Sequence, residues 1–255
     1  MRKWILAIMT VLLPSIISAQ DNTFGTILSI EGTHDIDKKW STGLELDMRT
    51  RHGLDDVERL SAGLDIDYKI SPWLKASCGY TFIGDHNRRV SHYKEGDRDV
   101  VKGLAEVGDR KNRRIYWGLR HRTHISLTAT WKTGNLKMSL RERWQYTFRP
   151  EMIVEGRYNY CYDKSDNAPH LYPSKARNIL RSRIAAEYRI SGTPATPHSA
   201  VETFNGWNLR KVRFTTGLEW KLRKGHTLDA CYRYQHYTND RGDNHYVCLS
   251  YKFKL

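Results

Sequence analysis

The sequence contains no long apolar run after residue 17, and its mean hydropathy is −0.67. This absence excludes a protein that crosses a membrane with helices, because each such helix needs about 20 consecutive, mostly apolar residues. It leaves room for a membrane β-barrel, in which half of the strand residues face a polar lumen.

Cysteine is scarce, and none of the four cysteines forms a C-x-x-C pair, which excludes a zinc ribbon and a thioredoxin-type redox motif. Cys231 and Cys248 fall on the polar faces of consecutive predicted strands. They predict either a disulfide across the final hairpin, in an oxidising periplasm, or two free small side chains in the lumen.

The sequence also lacks a P-loop, a G-x-S-x-G elbow, an H-E-x-x-H pair and an EF-hand pattern. We therefore expect no cofactor and no metal, and no module for nucleic acid is recognisable. The formal net charge of +14 indicates either anionic partners, such as lipopolysaccharide phosphates and acidic small solutes, or a solvated basic surface. The sequence gives no indication of the oligomeric state.

The N-terminus has the pattern of an export signal. Arg2 and Lys3 precede an apolar run that ends at Ile17, and Ser18-Ala19 offers a cleavage site with small residues. We expect residues 1–19 to be a cleaved signal peptide and residues 20–255 to form one barrel domain in the outer membrane.

Strict alternation between apolar and polar residues dominates the rest of the chain. In the segment 40–51, Trp40, Leu44 and Leu46 share one face, and Glu45 and Asp47 lie on the other. About ten segments repeat this pattern, which is typical of strands with one face toward lipid and one toward a polar lumen. The sequence predicts an all-β fold, a transmembrane antiparallel β-barrel of 10–12 strands.

The pattern gives roughly eleven strands, whereas single-chain bacterial barrels have an even number. Either a strand is missed near 105–120 or 198–208, or the first segment, 24–33, lies outside the wall. Alternation alone also permits a soluble exported barrel or sandwich with its apolar faces inside.

Short and long connections alternate along the chain, as they do in outer-membrane barrels. The predicted periplasmic turns are 71–72, 133–135, 191–196 and 223–225, and the predicted outer loops are 84–113, 149–176 and 238–244. Basic and acidic residues are interleaved in the first outer loop, which predicts a solvated mobile loop or a contact with lipopolysaccharide.

Three stretches of the chain carry a resemblance to a known family: Lys38-Lys39-Trp40-Ser41, the segment 140–146 (LRERWQY), and Leu180-Arg181-Ser182-Arg183 leading to Glu187-Tyr188. Through them the chain resembles the uncharacterised bacterial outer-membrane barrels grouped as domain of unknown function 2490. The resemblance implies an outer-membrane location and adds no activity, because none is assigned to that family.

The predicted lumen is rich in basic side chains that suit an anion-favouring pore or contacts with carboxylated or phosphorylated sugars. The alternative is a structural barrel whose own side chains and salt bridges fill its interior. The arginines expected to line the lumen are Arg49, Arg122, Arg141, Arg143, Arg181, Arg183, Arg189, Arg213 and Arg233.

A second candidate is the pair His124 and Ser126, which share one strand face. Outer-membrane lipid hydrolases and deacylases use such a pair together with a group that orients the histidine. Strand pairing across the turn at 133–135 places His124 opposite residues 143–145, and Glu142 falls on the apolar face. We expect either a β-bulge that turns Glu142 inward, the favoured alternative, or a contact of Glu142 with a partner subunit.

Overall fold

The computed structural model describes residues 24–51, 54, 56–238 and 242–255, which form a closed β-barrel. The predicted signal peptide, 1–19, lies outside the described residues. No helix in the described ranges is long and apolar enough to cross a membrane. The strands are β1 (Phe24–Asp35), β2 (Trp40–Arg51), β3 (Asp56–Lys69), β4 (Leu74–His92), β5 (Arg110–Thr133), β6 (Leu136–Arg149), β7 (Met152–Val154), β8 (Arg157–Asn159), β9 (Lys164–Asp166), β10 (His170–Tyr172), β11 (Lys175–Tyr188), β12 (Ala195–Asn205), β13 (Leu209–Arg223), β14 (His226–Tyr237) and β15 (Asn244–Lys254).

Eleven of these strands, β1–β6 and β11–β15, form the wall. Consecutive wall strands are antiparallel, so an odd number closes the ring only if the first and last strands run in the same direction. β1 and β15 indeed pair in parallel, from Phe24 opposite His245 to Thr33 opposite Lys254. The expectation of an even number is therefore wrong. The first segment is a wall strand, and the described residues contain no twelfth one.

The register fixes the width of the barrel. A path that starts at Gly118 of β5 and steps to the paired residue on each next strand goes once around the wall and returns to β5 at Lys132. The start and the end of this path differ by 14 residues along β5. With ordinary strand spacings, this offset corresponds to a strand tilt of about 40° and a backbone diameter of about 22 Å. Large side chains facing inward leave a narrow lumen in such a barrel.

The structure settles which face points inward. On β5, Ile125 and Leu127 are 59% and 50% exposed, whereas the alternating His124 and Ser126 are only 4% and 2% exposed. Around the wall, most large apolar side chains likewise point outward and most ionic ones point inward. The soluble alternative with an apolar interior is therefore wrong, and the outer surface matches a hydrocarbon environment.

The two ends of the barrel differ. One end, here called the turn end, carries the connections 36–39, 70–73, 134–135, 189–194 and 224–225, together with the C-terminus. The opposite end, here called the loop end, carries the connections 93–109 and 150–174. By analogy with bacterial outer-membrane barrels, the turn end would face the periplasm.

Both ends of the predicted first outer loop, 84–92 and 110–113, are strand. β4 and β5 extend as a paired ribbon to His92 and Arg110, leaving only 93–109 as a loop with one short helix, α1 (Arg98–Val101). The sequence pattern did not predict these strand ends, because a ribbon that projects beyond the barrel needs no apolar face and its residues are mostly polar. In the second loop, β8 pairs with both β5 and β9, and β7 pairs with β10.

Glu142 faces outward, and the bulge expected to turn it inward is absent. The pairing of β6 with β5 and β11 runs through Glu142 without a shift. The carboxylate lies near the middle of the strand and accepts a 2.7 Å hydrogen bond from the Ser182 hydroxyl. Two polar groups therefore satisfy each other on a surface that is mostly apolar.

We predict that Glu142→Leu stabilises the folded barrel by about 1–2 kcal/mol, because a carboxylate in the middle of a lipid-facing wall is unfavourable. Glu142→Gln is the matched variant, since it removes the charge and keeps an acceptor for Ser182. Urea unfolding from lipid vesicles measures both effects. A Glu142→Leu barrel less stable than the wild type would contradict the assigned orientation.

Candidate functional site

The lumen contains fully buried side chains. Ile83 of β4 and Gln235 of β14 are fully buried, and Ile27, Tyr246 and Cys248 form a small apolar cluster against one wall. Apolar and polar groups thus share the interior, and the passage left for solutes is narrow. This agrees with the diameter deduced from the register.

Four arginines form a block on the lumenal face of β6 and β11. Arg143 is paired in register with Arg181, and Arg141 is paired with Arg183 in the next lumenal row. Period two places these residues on one face, and the alignment of the two strands brings them side by side. We call these four residues the arginine block.

Two members of the arginine block share a single carboxylate, Glu202 of β12, with a third arginine. Arg141 and Arg181 each approach Glu202 Oε1 at 2.9 Å, and Arg213 of β13 approaches Glu202 Oε2 at 3.1 Å. Glu202 is buried, and its charge is shared among three guanidinium groups. Arg143 and Arg183 have no ion pair among the described residues.

An aromatic ring supports two arginines around Glu202. The guanidinium carbons of Arg181 and Arg213 lie 4.7 and 4.8 Å from the ring centroid of Phe204, and Lys211 Nζ lies 4.0 Å from it. The quadrupole of a buried ring attracts cations. This contact stabilises some of the positive charge without neutralising it.

The other predicted arginines are distributed unevenly. Arg49, Arg122 and Arg233 lie on lumenal strand positions, and Arg49 stacks over Tyr246 at 5.1 Å. The Nε atoms of all three are buried without a hydrogen-bond partner in the described part of the chain. Arg189 lies beyond the end of β11, exposed in the connection 189–194, so the structure does not place it in the lumen.

Carboxylates gather in the half of the lumen toward the turn end. Glu31 and Glu45 are paired across β1 and β2. Lys252 bridges Glu219 and Asp229 at 2.6 and 2.9 Å. The lumen is therefore graded in charge, with arginines in its middle and loop-end parts and acids toward the turns.

His124 has a carboxylate partner that sequence reasoning missed. Its Nε2 lies 3.2 Å from Asp65 Oδ1, although β4 separates the two strands that carry these residues. Gly79 of β4 is paired with both residues and leaves space for the side chains to meet across it. Counting the hairpin registers from β3 to β5 would have located this pair.

Ser126 does not complete a catalytic arrangement. Its hydroxyl is buried and has no hydrogen-bond partner among the described residues, and its strand partner is Arg143. His124 is opposite Gln145, as the hairpin register predicted. Both His124 and Ser126 face the lumen, away from lipid.

The two predicted partner cysteines are directly opposite each other. Cys231 and Cys248 are paired in the register of β14 and β15, and both are free thiols in this structure. The proximity that a disulfide needs is thus present, and the disulfide itself stays a prediction.

Several charged side chains in the loops at the loop end form hydrogen bonds with other residues of the same region. Lys111 donates to Asp97 at 2.8 Å, and Tyr93 and Tyr162, from different loops, both donate to Asp99 at 3.0 Å. The hydrogen bond from Lys111 and another from a backbone N–H hold the pKa of Asp97 below its usual value. These contacts tie the two loops together.

The family model described as "Protein of unknown function (DUF2490)" matches residues 24–246. A search of curated proteins finds no match. The β-domain of the Bordetella autotransporter BrkA is similar in structure, with a TM-score of 0.51, 14% identity, and coverage of 84% of this chain and 82% of that one. This likeness shows an outer-membrane barrel fold.

Two further solved structures resemble the chain at a lower level. The NanC porin has a TM-score of 0.49 and 12% identity, with coverage of 91% of this chain and 97% of the porin. The toluene transporter TodX of Pseudomonas putida has a TM-score of 0.45 and 9% identity, with coverage of 83% and 73%.

We predict that Gly79→Ala destabilises the barrel by roughly 1–3 kcal/mol, because the added methyl would overlap Asp65 Oδ1 and lie 2.6 Å from His124 Cε1. Gly43→Ala is the matched control, since its methyl would meet nothing nearer than 3.8 Å. Denaturant unfolding compares the two. Equal effects would show that the contact across Gly79 is unimportant.

Proposed function

We propose that this chain, which belongs to the DUF2490 family of proteins of unknown function, is an outer-membrane barrel whose narrow lumen passes small anions. A structural barrel without conduction is the competing possibility. The observation that carries the proposal is the excess of lumenal guanidinium groups over the carboxylates that reach them, since Arg122, Arg143, Arg183 and Arg233 have no ion pair among the described residues.

The charge grading supports selectivity. Rings of arginine and lysine favour anions in pores because a cation must pass close to fixed positive charges. In a lumen of about 22 Å backbone diameter, filled largely by side chains, no solute would pass far from the arginine block. Acidic small solutes are therefore the proposed cargo.

The proposal also includes the export of this chain and its contacts with lipopolysaccharide. Cleavage after residue 19 would release the barrel for insertion into the outer membrane. Arg88, Arg98 and Arg110 have no ion pair among the described residues and would meet lipopolysaccharide phosphates near the loop end.

We predict that the purified barrel in a planar bilayer under a potassium chloride gradient gives a reversal potential that indicates preference for chloride. Arg122→Glu is expected to reduce the chloride-to-potassium permeability ratio severalfold, because it reverses a lumenal charge. Arg189→Glu makes the same change on the exposed turn and is expected to leave the ratio unaltered. Absence of conductance would leave the structural barrel.

The lipid hydrolase alternative has less support from the contacts. Within the described residues the Ser126 hydroxyl donates no hydrogen bond to a base, His124 Nε2 lies beside Asp65, and neither residue faces lipid. A nucleophilic serine needs a base within hydrogen-bond reach.

We predict that the wild type and Ser126→Ala release equal amounts of fatty acid from phospholipid and lipid A vesicles, at the level of vesicles without protein. Chromatographic measurement of the released fatty acid tests this. Release by the wild type that Ser126→Ala abolishes would restore the hydrolase as the leading function.

A further inference from the structure

The arginine block contains more positive charge than its surroundings balance. Arg141 and Arg181 share Glu202 with Arg213, which leaves Arg143 and Arg183 without an ion pair in the described part of the chain. Guanidinium groups stay protonated in proteins, so their mutual repulsion persists at any ordinary pH. Glu202 therefore balances only part of the positive charge in this part of the wall.

Polar donors without partners converge at one edge of the block. Ser126 is paired with Arg143, its side chain is almost fully buried, and its hydroxyl has no hydrogen-bond partner among the described residues. Arg143 Nε is likewise buried and unpartnered. Buried polar groups are normally hydrogen-bonded, and an exception calls for an explanation such as a ligand.

The positions of these groups suit an oxyanion. Side chains opposite each other on paired strands have Cβ atoms about 4.5–5.5 Å apart, and diagonal neighbours are about 7–8 Å apart. Ser126 and Arg143 are opposite each other, and Arg183 is a diagonal neighbour of Arg143 across β6 and β11. A carboxylate or phosphate group has the size and acceptors to bridge such donors.

We propose that Ser126, Arg143 and Arg183 bind an oxyanion group, the carboxylate or phosphate of a small acidic solute, on the lumenal wall of β5, β6 and β11. The inference deepens the proposed function, on which it rests for the route by which a solute reaches the site. Glu202 holds the neighbouring arginines in place, and Ser126 donates its hydroxyl to the bound group.

The proposed site predicts an effect on thermal stability that an ordinary salt-bridge network would not show. Without a ligand, Arg143 and Arg183 repel their neighbours, so removing them costs the empty barrel little or stabilises it. With a ligand, the same two residues supply the binding energy. A variant that lacks both arginines should therefore be no less stable than the wild type without anion, but it should gain less stability than the wild type when anion is added.

The test uses the full-length processed protein in detergent micelles at constant ionic strength. The thermal midpoint and isothermal titration calorimetry are recorded with sodium phosphate, glucuronate, glucose 6-phosphate and, as the neutral probe, glucose. For the wild type we expect a saturable rise in the midpoint with at least one of the three oxyanions and none with glucose. The glucuronate and glucose 6-phosphate arms distinguish a carboxylate from a phosphate.

The double variant Arg143→Gln and Arg183→Gln should keep or raise the midpoint without ligand and lose the rise with oxyanion. Arg59→Gln is the matched control, because Arg59 is a lumenal arginine paired with Asp85 at 2.6 Å, and it should keep that rise. Ser126→Ala should weaken binding severalfold. Arg183→Lys, which keeps the charge and the fold but loses the planar fork, should also bind more weakly.

Two results would overturn the site: no saturable oxyanion binding by the wild type, or unchanged affinity in the double variant. Bilayer conductance separates this proposal from the preceding one. Binding without conductance would support the site and remove the pore, and conductance without binding would support the pore and remove the site.

Discussion

A closed ring of backbone hydrogen bonds is the constraint on which the rest of this structure depends. Hydrocarbon offers no partner to an unpaired N–H or C=O, so a sheet that spans it must have no free edge. Here the ring contains eleven strands, and β1 therefore pairs in parallel with β15. Parallel pairs are slightly less stable per residue than antiparallel ones, a modest cost compared with an open edge.

Closure also determines what the lumen holds. Eleven strands with an offset of 14 residues make a barrel in which inward side chains from several strands meet. Glu202 of β12 reaches arginines of β6, β11 and β13 in this way. Asp65 and His124 meet across β4 because Gly79 lies between them. The lumenal chemistry thus arises from strand register rather than from local motifs.

The local sequence pattern predicted the faces and pairing of the wall strands well, but it did not predict where the structure departs from a regular wall. Period two placed His124 and Ser126 on one face and Ile125 on the other, and the length of the turn placed His124 opposite Gln145. It did not reveal that β4 and β5 continue beyond the barrel, since a projecting ribbon has no apolar face. It also led us to expect a bulge at Glu142, where a hydrogen bond from Ser182 satisfies the carboxylate without one.

The sequence by itself determined the all-β class, the two faces of each strand and the basic character of the polar faces, because alternation and composition are properties of neighbouring residues. Only the tertiary structure decided that the apolar faces point outward, that the strand number is odd, that Arg189 lies beyond the end of β11 and that Arg143 and Arg183 lack the carboxylate their neighbours share. These features depend on which strands meet and in what register, and that is fixed by closing the whole ring.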